Sequence, residues 1–375
     1  MTSMLTSAQL QQSFTDYDQF LATHSGLWQC NPFTYTHWPW SQSAEAIRTR
    51  LRQQLQLLTD PVAPLDALTT EQTAWPFWLT NGIQGRKLAQ ISGFIGQFDS
   101  QQAVLEWCSG KGHLGRLLSY QRLLPVTSLE WQKTLCEQGQ ALAQQHGIAQ
   151  QFQHCDVLAL TPGSLPNNCA MVALHACGDL HRRLLEQFTH SSGAELFLAP
   201  CCYHLQAASY YQPLSKYAQQ SPLQLSKSDL KLAVQDFVTA GQRTARLRDT
   251  EQLWRLVFQE YRALLCGDPS YQPLPAISKQ IFSGDISAFM AWACQQHGLK
   301  LPSAAELAEL LPIAHQRLRL VRDIDDVRQL FRRPLELWLL LDRALYLSEH
   351  GYQVALKQFC PYQHSPRNTL IISRR

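Results

Sequence analysis

Apolar positions recur at helical spacing over the first hundred residues. Leu10, Phe14, Tyr17, Phe20 and Leu21 form one stripe. Residues 44–58 form a second amphipathic segment that stops before Pro61 and Pro64, and a further helix is predicted over 83–98. From residue 103 the period changes. Short apolar runs at 103–106, 126–130, 152–156, 170–174 and 195–199 alternate with helical patterns such as 132–147 and 180–189, the mark of a parallel sheet. Residues 205–334 then read as helices, at 228–240, 250–266, 286–297, 304–311 and 323–331. An apolar helix over 334–351, a strand over 352–359 and a closing strand over 369–373 resume the sheet. The predicted organisation is a helical region over 1–100, an α/β core over 101–204, a helical insertion over 205–334 and the remainder of the core over 335–375.

Composition narrows the class of protein. The chain is 45% apolar and 16% charged, and no apolar run nears the roughly 18 residues needed to span a bilayer. Met1–Gln12 lacks the basic-then-apolar pattern of a secretory signal. Eleven cysteines without a C-x-x-C pair suggest reduced thiols and a cytoplasmic protein. Net charge +3 and pI near 8.3 permit an RNA partner without requiring one. The stretch 205–334 carries sixteen Lys and Arg against twelve Asp and Glu, with clusters at Arg243, Arg246 and Arg248 and at Arg317, Arg319 and Arg322. Either cluster could contact phosphates or simply be a solvated surface. Trp28, Trp38, Trp40, Trp75 and Trp78 read as packing anchors rather than stacking platforms.

The candidate chemistry begins in Glu106-Trp-Cys-Ser-Gly-Lys-Gly112. This stretch is a strand end and a glycine turn, leading into a helix that faces Leu114, Leu117 and Leu118 to the sheet. Gly110, Gly112 and Gly115 alone would first suggest a dinucleotide site and an oxidoreductase. In such a site Glu106 would be an unpaired buried charge, costing several kcal/mol; the methionine amine of S-adenosylmethionine would give it a partner. Glu130 closes the second strand where a βαβ unit places a carboxylate for ribose hydroxyls, and Asp156 closes the third, where it can accept from an adenine amino group.

Two further loops leave the same predicted sheet edge, His175-Ala-Cys-Gly-Asp179 and Pro200-Cys-Cys-Tyr-His204. His175, Asp179, Tyr203 and His204 are the proton acceptors or hydrogen-bond orienters available there for a methyl acceptor. His175, Cys177, Cys201, Cys202 and His204 also offer soft metal ligands, but their spacing does not follow the ligand pairs of structural zinc sites, and no metal is expected. Cys201 lacks an obvious base partner beyond His204 and reads as a packing residue rather than a nucleophile.

The glycine turn, these two loops and Ser365-Pro-Arg-Asn368 together resemble one family of class I S-adenosylmethionine-dependent methyltransferases. It is the methyltransferase-domain family of the methyltransferase-like 25 proteins and the glutathione S-transferase carboxyl-terminal-domain-containing protein, distantly similar to eukaryotic tRNA ribose 2'-O-methyltransferases. The resemblance covers about 103–204 and 335–373. It implies a Rossmann-like, mostly parallel sheet with an antiparallel last strand, S-adenosylmethionine as cofactor, and RNA ahead of protein as substrate. Carried over by position, Glu106, Cys108, Gly110, Lys111 and Gly112 line the methionine end, Glu130 the ribose and Asp156 the adenine. His175 and the Cys201–His204 turn border the acceptor pocket. Two departures stand out: Arg86-Lys-Leu-Ala-Gln90 replaces a Lys-Lys-x-His-Glu run, and Cys108 stands where the broader superfamily usually has Gly. A non-catalytic scaffold that keeps the pocket is the remaining alternative.

Overall fold

The computed structural model describes residues 4–65, 74–191, 194–235 and 242–375. Its sheet has seven strands: β1 (Val104–Trp107), β2 (Val126–Glu130), β3 (Gln150–His154), β4 (Ala170–Cys177), β5 (Glu195–Cys201), β6 (Gln353–Gln358) and β7 (Thr369–Arg374). Their spatial order is β3-β2-β1-β4-β5-β7-β6. β1 to β5 are parallel, and β7 pairs antiparallel with both β5 and β6. The expected mostly parallel sheet with an antiparallel last strand is therefore the observed one. Because the first five strands share a direction, the loops that follow all five leave one edge.

The helices that position this edge are α1 (Ser7–Thr23), α2 (Gly85–Gln97), α3 (His113–Arg122), α4 (Lys133–Gln145), α5 (Asp179–His190) and α6 (Arg332–Glu349). Burial explains why they hold. Phe94 of α2, Leu117 of α3, Val172 of β4, Phe197 of β5 and Phe359 after β6 are all fully enclosed in one cluster. Each such side chain contributes roughly 1.5–3 kcal/mol relative to exposure. α6 carries a buried Asp342 whose carboxylate accepts Tyr211 Oη–H at 2.5 Å and the amides of Leu214 and Ser215 at 3.0 Å and 2.7 Å. A buried charge needs such a complete set of donors.

β4 and β5 run two or more residues beyond their predicted ends. β4 continues from Leu174 to Cys177 and β5 from Ala199 to Cys201, with a register shift between Leu174 and Cys177, so that Cys177 and Cys201 become cross-strand partners. β3 ends two residues before Asp156.

The chain divides into two compact units, one of 1–23, 57–236 and 332–375, the other of 24–56 and 237–331. The sequence reading placed 24–56 in an amino-terminal helical region; here that segment packs with the insertion. The side chains show why. In the second unit Arg328 Nε donates to the Trp28 carbonyl at 3.1 Å, and Arg317 donates to Glu260 at 2.5 Å and to the Phe33 carbonyl at 2.9 Å. That unit's core joins Val257, Phe258 and Tyr261 to Phe289 and to Ala314 and Val321.

Two helices predicted at 304–311 and 323–331 are one helix, Ala304–Gln329, which passes through Pro312. Proline there costs an amide hydrogen bond, and the buried stripe Leu310, Ala314, Leu318, Val321 and Ile324 outweighs that loss. The helix at 250–266 begins earlier, at Gln242. Of the one predicted at 228–240, Lys227–Leu232 is helical and 236–240 lie outside the described residues. Among the described residues no helix is long and apolar enough to cross a membrane.

Candidate methyl-donor site and its bordering loops

After β1 the chain turns through Cys108, Gly110 and Gly112, at φ of 54°, 59° and 63°. The two glycines answer different constraints. A Cβ on Gly110 would meet no atom within 4 Å, so the turn is open above it; a Cβ on Gly112 would overlap Gln150 and Phe152, so close packing on β3 fixes that position. Gly110 is the place where a ligand can approach the backbone.

Two buried carboxylates hold this turn. Glu130 accepts the Gly110 amide on one oxygen and the Gln132 amide on the other, both at 2.8 Å. Glu106 accepts the Gly115 amide at 3.0 Å, the Ser128 hydroxyl at 2.6 Å and the Gln150 side-chain amide at 3.4 Å. Glu106 was expected to face the methionine amine, but its oxygens are spent under α3 and it is only 3% exposed. β1 runs one residue further than predicted, to Trp107, and Glu106 lies on the face that α3 covers. Desolvation raises its pKa to about 7, against the Ser128 and Gly115 donors and the Arg116 and Lys87 charges, which favour its ionised form.

Around the opening, Asp156 is exposed, Lys111 is exposed on the rim, and Trp131 and Leu158 present apolar surface at 65% and 50% exposure. Trp131 was missed in the sequence; an aromatic directly after the β2 acid was the available signal. Burial, then the Glu130 carboxylate, pushes the Cys108 thiol up to about 12, so it stays protonated.

The loops after β4 and β5 are tied to each other. Gly178 N–H donates to the Cys201 carbonyl at 3.3 Å, Asp179 N–H to the Leu205 carbonyl at 3.1 Å, and Ala207 N–H to the Asp179 carboxylate at 2.7 Å. Gly178, at φ 56°, has the Leu205 carbonyl where a Cβ would stand. Asp179 therefore clasps a loop rather than facing the opening. Tyr203 also departs from its expected place: it is 3% exposed, edge-on to His181 at 5.6 Å and under the Arg343 guanidinium at 4.7 Å. Its ring is held inward by that cation, which is itself buried and hydrogen-bonded to His181 at 2.6 Å.

His175 and His204 remain partly exposed on these loops. His175 is at φ 70° and its Nε2 lies 2.5 Å from Gln90 Oε1. The Gln90 amide nitrogen donates to the His364 carbonyl at 3.1 Å, which turns its oxygen toward His175 and fixes the proton on Nε2. The Nδ1 lone pair is then the accepting one. Burial, with Arg367 and Lys87, lowers the His175 pKa to about 4, so the ring is neutral at pH 7. Burial likewise lowers the His204 pKa. Hydrogen bonding from the Cys177 and Cys201 thiols, with Arg367 and His204 adding, holds the Cys202 thiol below its usual range. Arg367, from the turn before β7, is a residue the sequence reading noted only as part of a motif.

Residues 86–209 match the model of a family described as a methyltransferase domain. That match spans the glycine turn, both acids and both clasped loops. The chain carries a methyltransferase domain.

Several solved structures are distantly similar to this chain. They include a Pyrococcus abyssi tRNA (uracil-54, C5)-methyltransferase in complex with S-adenosyl-L-homocysteine, at 14% identity, covering 29% of this chain and 27% of that one with a TM-score of 0.26. A Streptomyces coelicolor geranyl diphosphate C-methyltransferase matches at 14% identity over 42% of this chain and 64% of its own, TM-score 0.26. Coclaurine N-methyltransferase matches at 13% identity over 87% and 90%, TM-score 0.28. This chain thus spans about a quarter of the first and under two thirds of the second. Likenesses this distant say nothing about substrate.

The methyltransferase site fits S-adenosylmethionine on its own geometry. The open backbone at Gly110, the Glu130 carboxylate with acceptor capacity beyond its two amide bonds, the exposed Asp156 and the apolar Trp131 and Leu158 together suit a nucleoside with polar edges and an apolar face.

Gly178→Ala should cost about 2–3 kcal/mol in urea unfolding, because it combines a strained backbone with an overlap on the Leu205 carbonyl. Gly163→Ala, also at positive φ but with its nearest atom at 3.9 Å, should cost less, which separates the overlap from the backbone term.

A carboxyl raised on folding holds an extra proton in the folded state between its ordinary pKa of 4.5 and about 7. Its contribution to stability is therefore full below pH 4.5 and lost as the pH rises to 7. Chemical unfolding from pH 4.5 to 7.5 should show Glu106→Gln lacking a decline of about 3 kcal/mol present in the parent protein.

Proposed function

We propose that this chain is an S-adenosylmethionine-dependent methyltransferase acting on RNA in the cytoplasm, related to the methyltransferase-like 25 group. The observation that carries the donor half is the open turn at Gly110, fastened by Glu130 inside a matched methyltransferase domain. For the acceptor half, the resemblance of the two clasped loops to tRNA-modifying relatives supports RNA, as do Arg243, Arg246 and Arg319, which are exposed. Arg317 and Arg322 lend less: each is engaged with a carboxylate, Glu260 and Asp249. A protein acceptor is the second reading, favoured by the same ion pairs, which make two of the six clustered arginines structural.

The bound donor supplies an electrophilic methyl group, and what the chain adds is placement. Glu130 orients the ribose, Asp156 the adenine edge, and the clasped loops hold the acceptor in line, an effect worth up to roughly 7–11 kcal/mol in favourable cases. His175, neutral and with Nδ1 free to accept, is too weak a base at a pKa of about 4 to remove a hydroxyl proton, and so orients it. His204, with a buried Nδ1 that has no hydrogen-bond partner, is the other acceptor on that border.

Glu130→Ala should weaken donor binding at least about tenfold by calorimetry, the loss of one or two charge-assisted hydrogen bonds. His204→Ala should leave donor affinity intact and lower turnover about 100-fold. Equal donor affinity in Glu130→Ala and the parent would reject the assignment. Incubation of the protein with tritiated donor and extract from cells lacking it should place label in RNA; label in protein alone would support the second reading.

A further inference from the structure

Cys177, Cys201 and Cys202 stand together where β4 and β5 end. Their Sγ atoms all lie within 4.8 Å of one another, and Cys177 Sγ is 3.2 Å from Cys201 Sγ. We propose that these three thiols bind a thiophilic divalent cation, zinc in the first instance, as a site separate from the donor-binding turn. The proposal does not depend on which acceptor is methylated.

Three observations carry it. The first is spacing. Tetrahedral Zn–S bonds of about 2.3 Å place their sulfurs about 3.8 Å apart, and the present separations, from 3.2 Å to at most 4.8 Å, bracket that value. Closing on an ion therefore takes side-chain shifts of well under a bond length.

The second is the effort spent on bringing the thiols together. β4 shifts register so that Cys177 faces Cys201, and Cys202 is held at φ 46°, a left-handed conformation that costs a non-glycine residue about 1–2 kcal/mol. The clasp at Gly178 and Asp179 fixes both loops in that arrangement. Thiol packing alone gains little from it, since thiols are weak hydrogen-bond donors and acceptors.

The third is electrostatic. Three thiolates around a dication leave one negative charge, and the Arg367 guanidinium, whose buried Nε has no hydrogen-bond partner, is a cation available to offset it. The three thiols leave the fourth tetrahedral position open, as in zinc sites that keep a water there. The sequence spacing argued against zinc because the ligands do not form a close pair plus a close pair. The sheet supplies the proximity instead, through adjacent strands.

Cobalt(II) titration of the fully reduced protein tests this, with tetrahedral thiolate ligation read from its sulfur-to-metal charge-transfer and intense visible absorption, and zinc content read by elemental analysis after dialysis. One ion per chain is expected, with displacement of cobalt by zinc. Cys202→Ser, at a partly exposed position, should weaken binding more than about 100-fold, beyond the loss typical of an outer-shell contact, while Cys294→Ser, buried elsewhere, should not. Reduced parent protein that shows no charge-transfer band at stoichiometric cobalt overturns the proposal, whatever the variants do. So does unchanged affinity in Cys202→Ser, which would locate the ion among other thiols, or a Cys177–Cys201 disulfide whose reduction yields no ion-binding form.

Discussion

Carboxylates buried under a glycine turn are the constraint on which this sheet edge depends. Glu106 and Glu130 lie in adjacent strands, and between them they accept backbone amides of Gly110, Gly115 and Gln132. An unpaired buried carboxylate would cost several kcal/mol, so each is tolerable only while the turn keeps the shape that presents those amides. The dependence runs both ways. The turn has three residues in left-handed conformations, Cys108 among them, and such a backbone persists where its surroundings over-determine it. A ligand approaching Gly110 would then meet a turn already formed, with lone pairs of Glu130 left over beside it.

Much of this was legible in the chain. The alternation of strands and helices along the chain follows from the change of apolar period at residue 103, and the β2 acid stands near where a βαβ unit places one. What could not be read was which way a side chain turns. Glu106 lies under α3 because α3 folds back over that face of β1, which alternation along the strand does not reveal. Tyr203 turns inward because α6, more than a hundred residues later, brings Arg343 over its ring. The Gln90–His175 contact spans 85 residues, so in the sequence Gln90 was visible only as a departure from a family run. The grouping of 24–56 with the insertion was equally hidden, since it is made by Arg317 and Arg328 reaching backbone carbonyls of Phe33 and Trp28.

Glycine patterns show the same limit in a sharper form. Gly110, Gly112 and Gly115 are alike in a sequence motif, yet only Gly110 has open space above it. Gly112 and Gly115 exist for packing, one against Phe152 and Gln150, the other against Glu106 itself. A motif of glycines thus records a backbone that must pass close to something, and the structure decides whether that something is a ligand or a neighbouring strand.

The distribution of strain argues that the edge acts as one device. Among the described residues the non-glycine positions at positive φ are Cys108, Leu123, His175 and Cys202, and Leu123 merely ends α3. The other three follow or interrupt β1, β4 and β5, neighbours at the centre of the sheet, on the edge where their loops leave. Each costs about 1–2 kcal/mol, a total that is a large fraction of the marginal stability of a fold. Packing does not ask for it, since a glycine or a relaxed turn would close these loops at lower cost. The three positions instead carry two thiols and an imidazole on one edge of the sheet. Conformational strain concentrated at adjacent strand ends, with side chains that carry chemistry rather than bulk, is what a sheet edge selected for function would show.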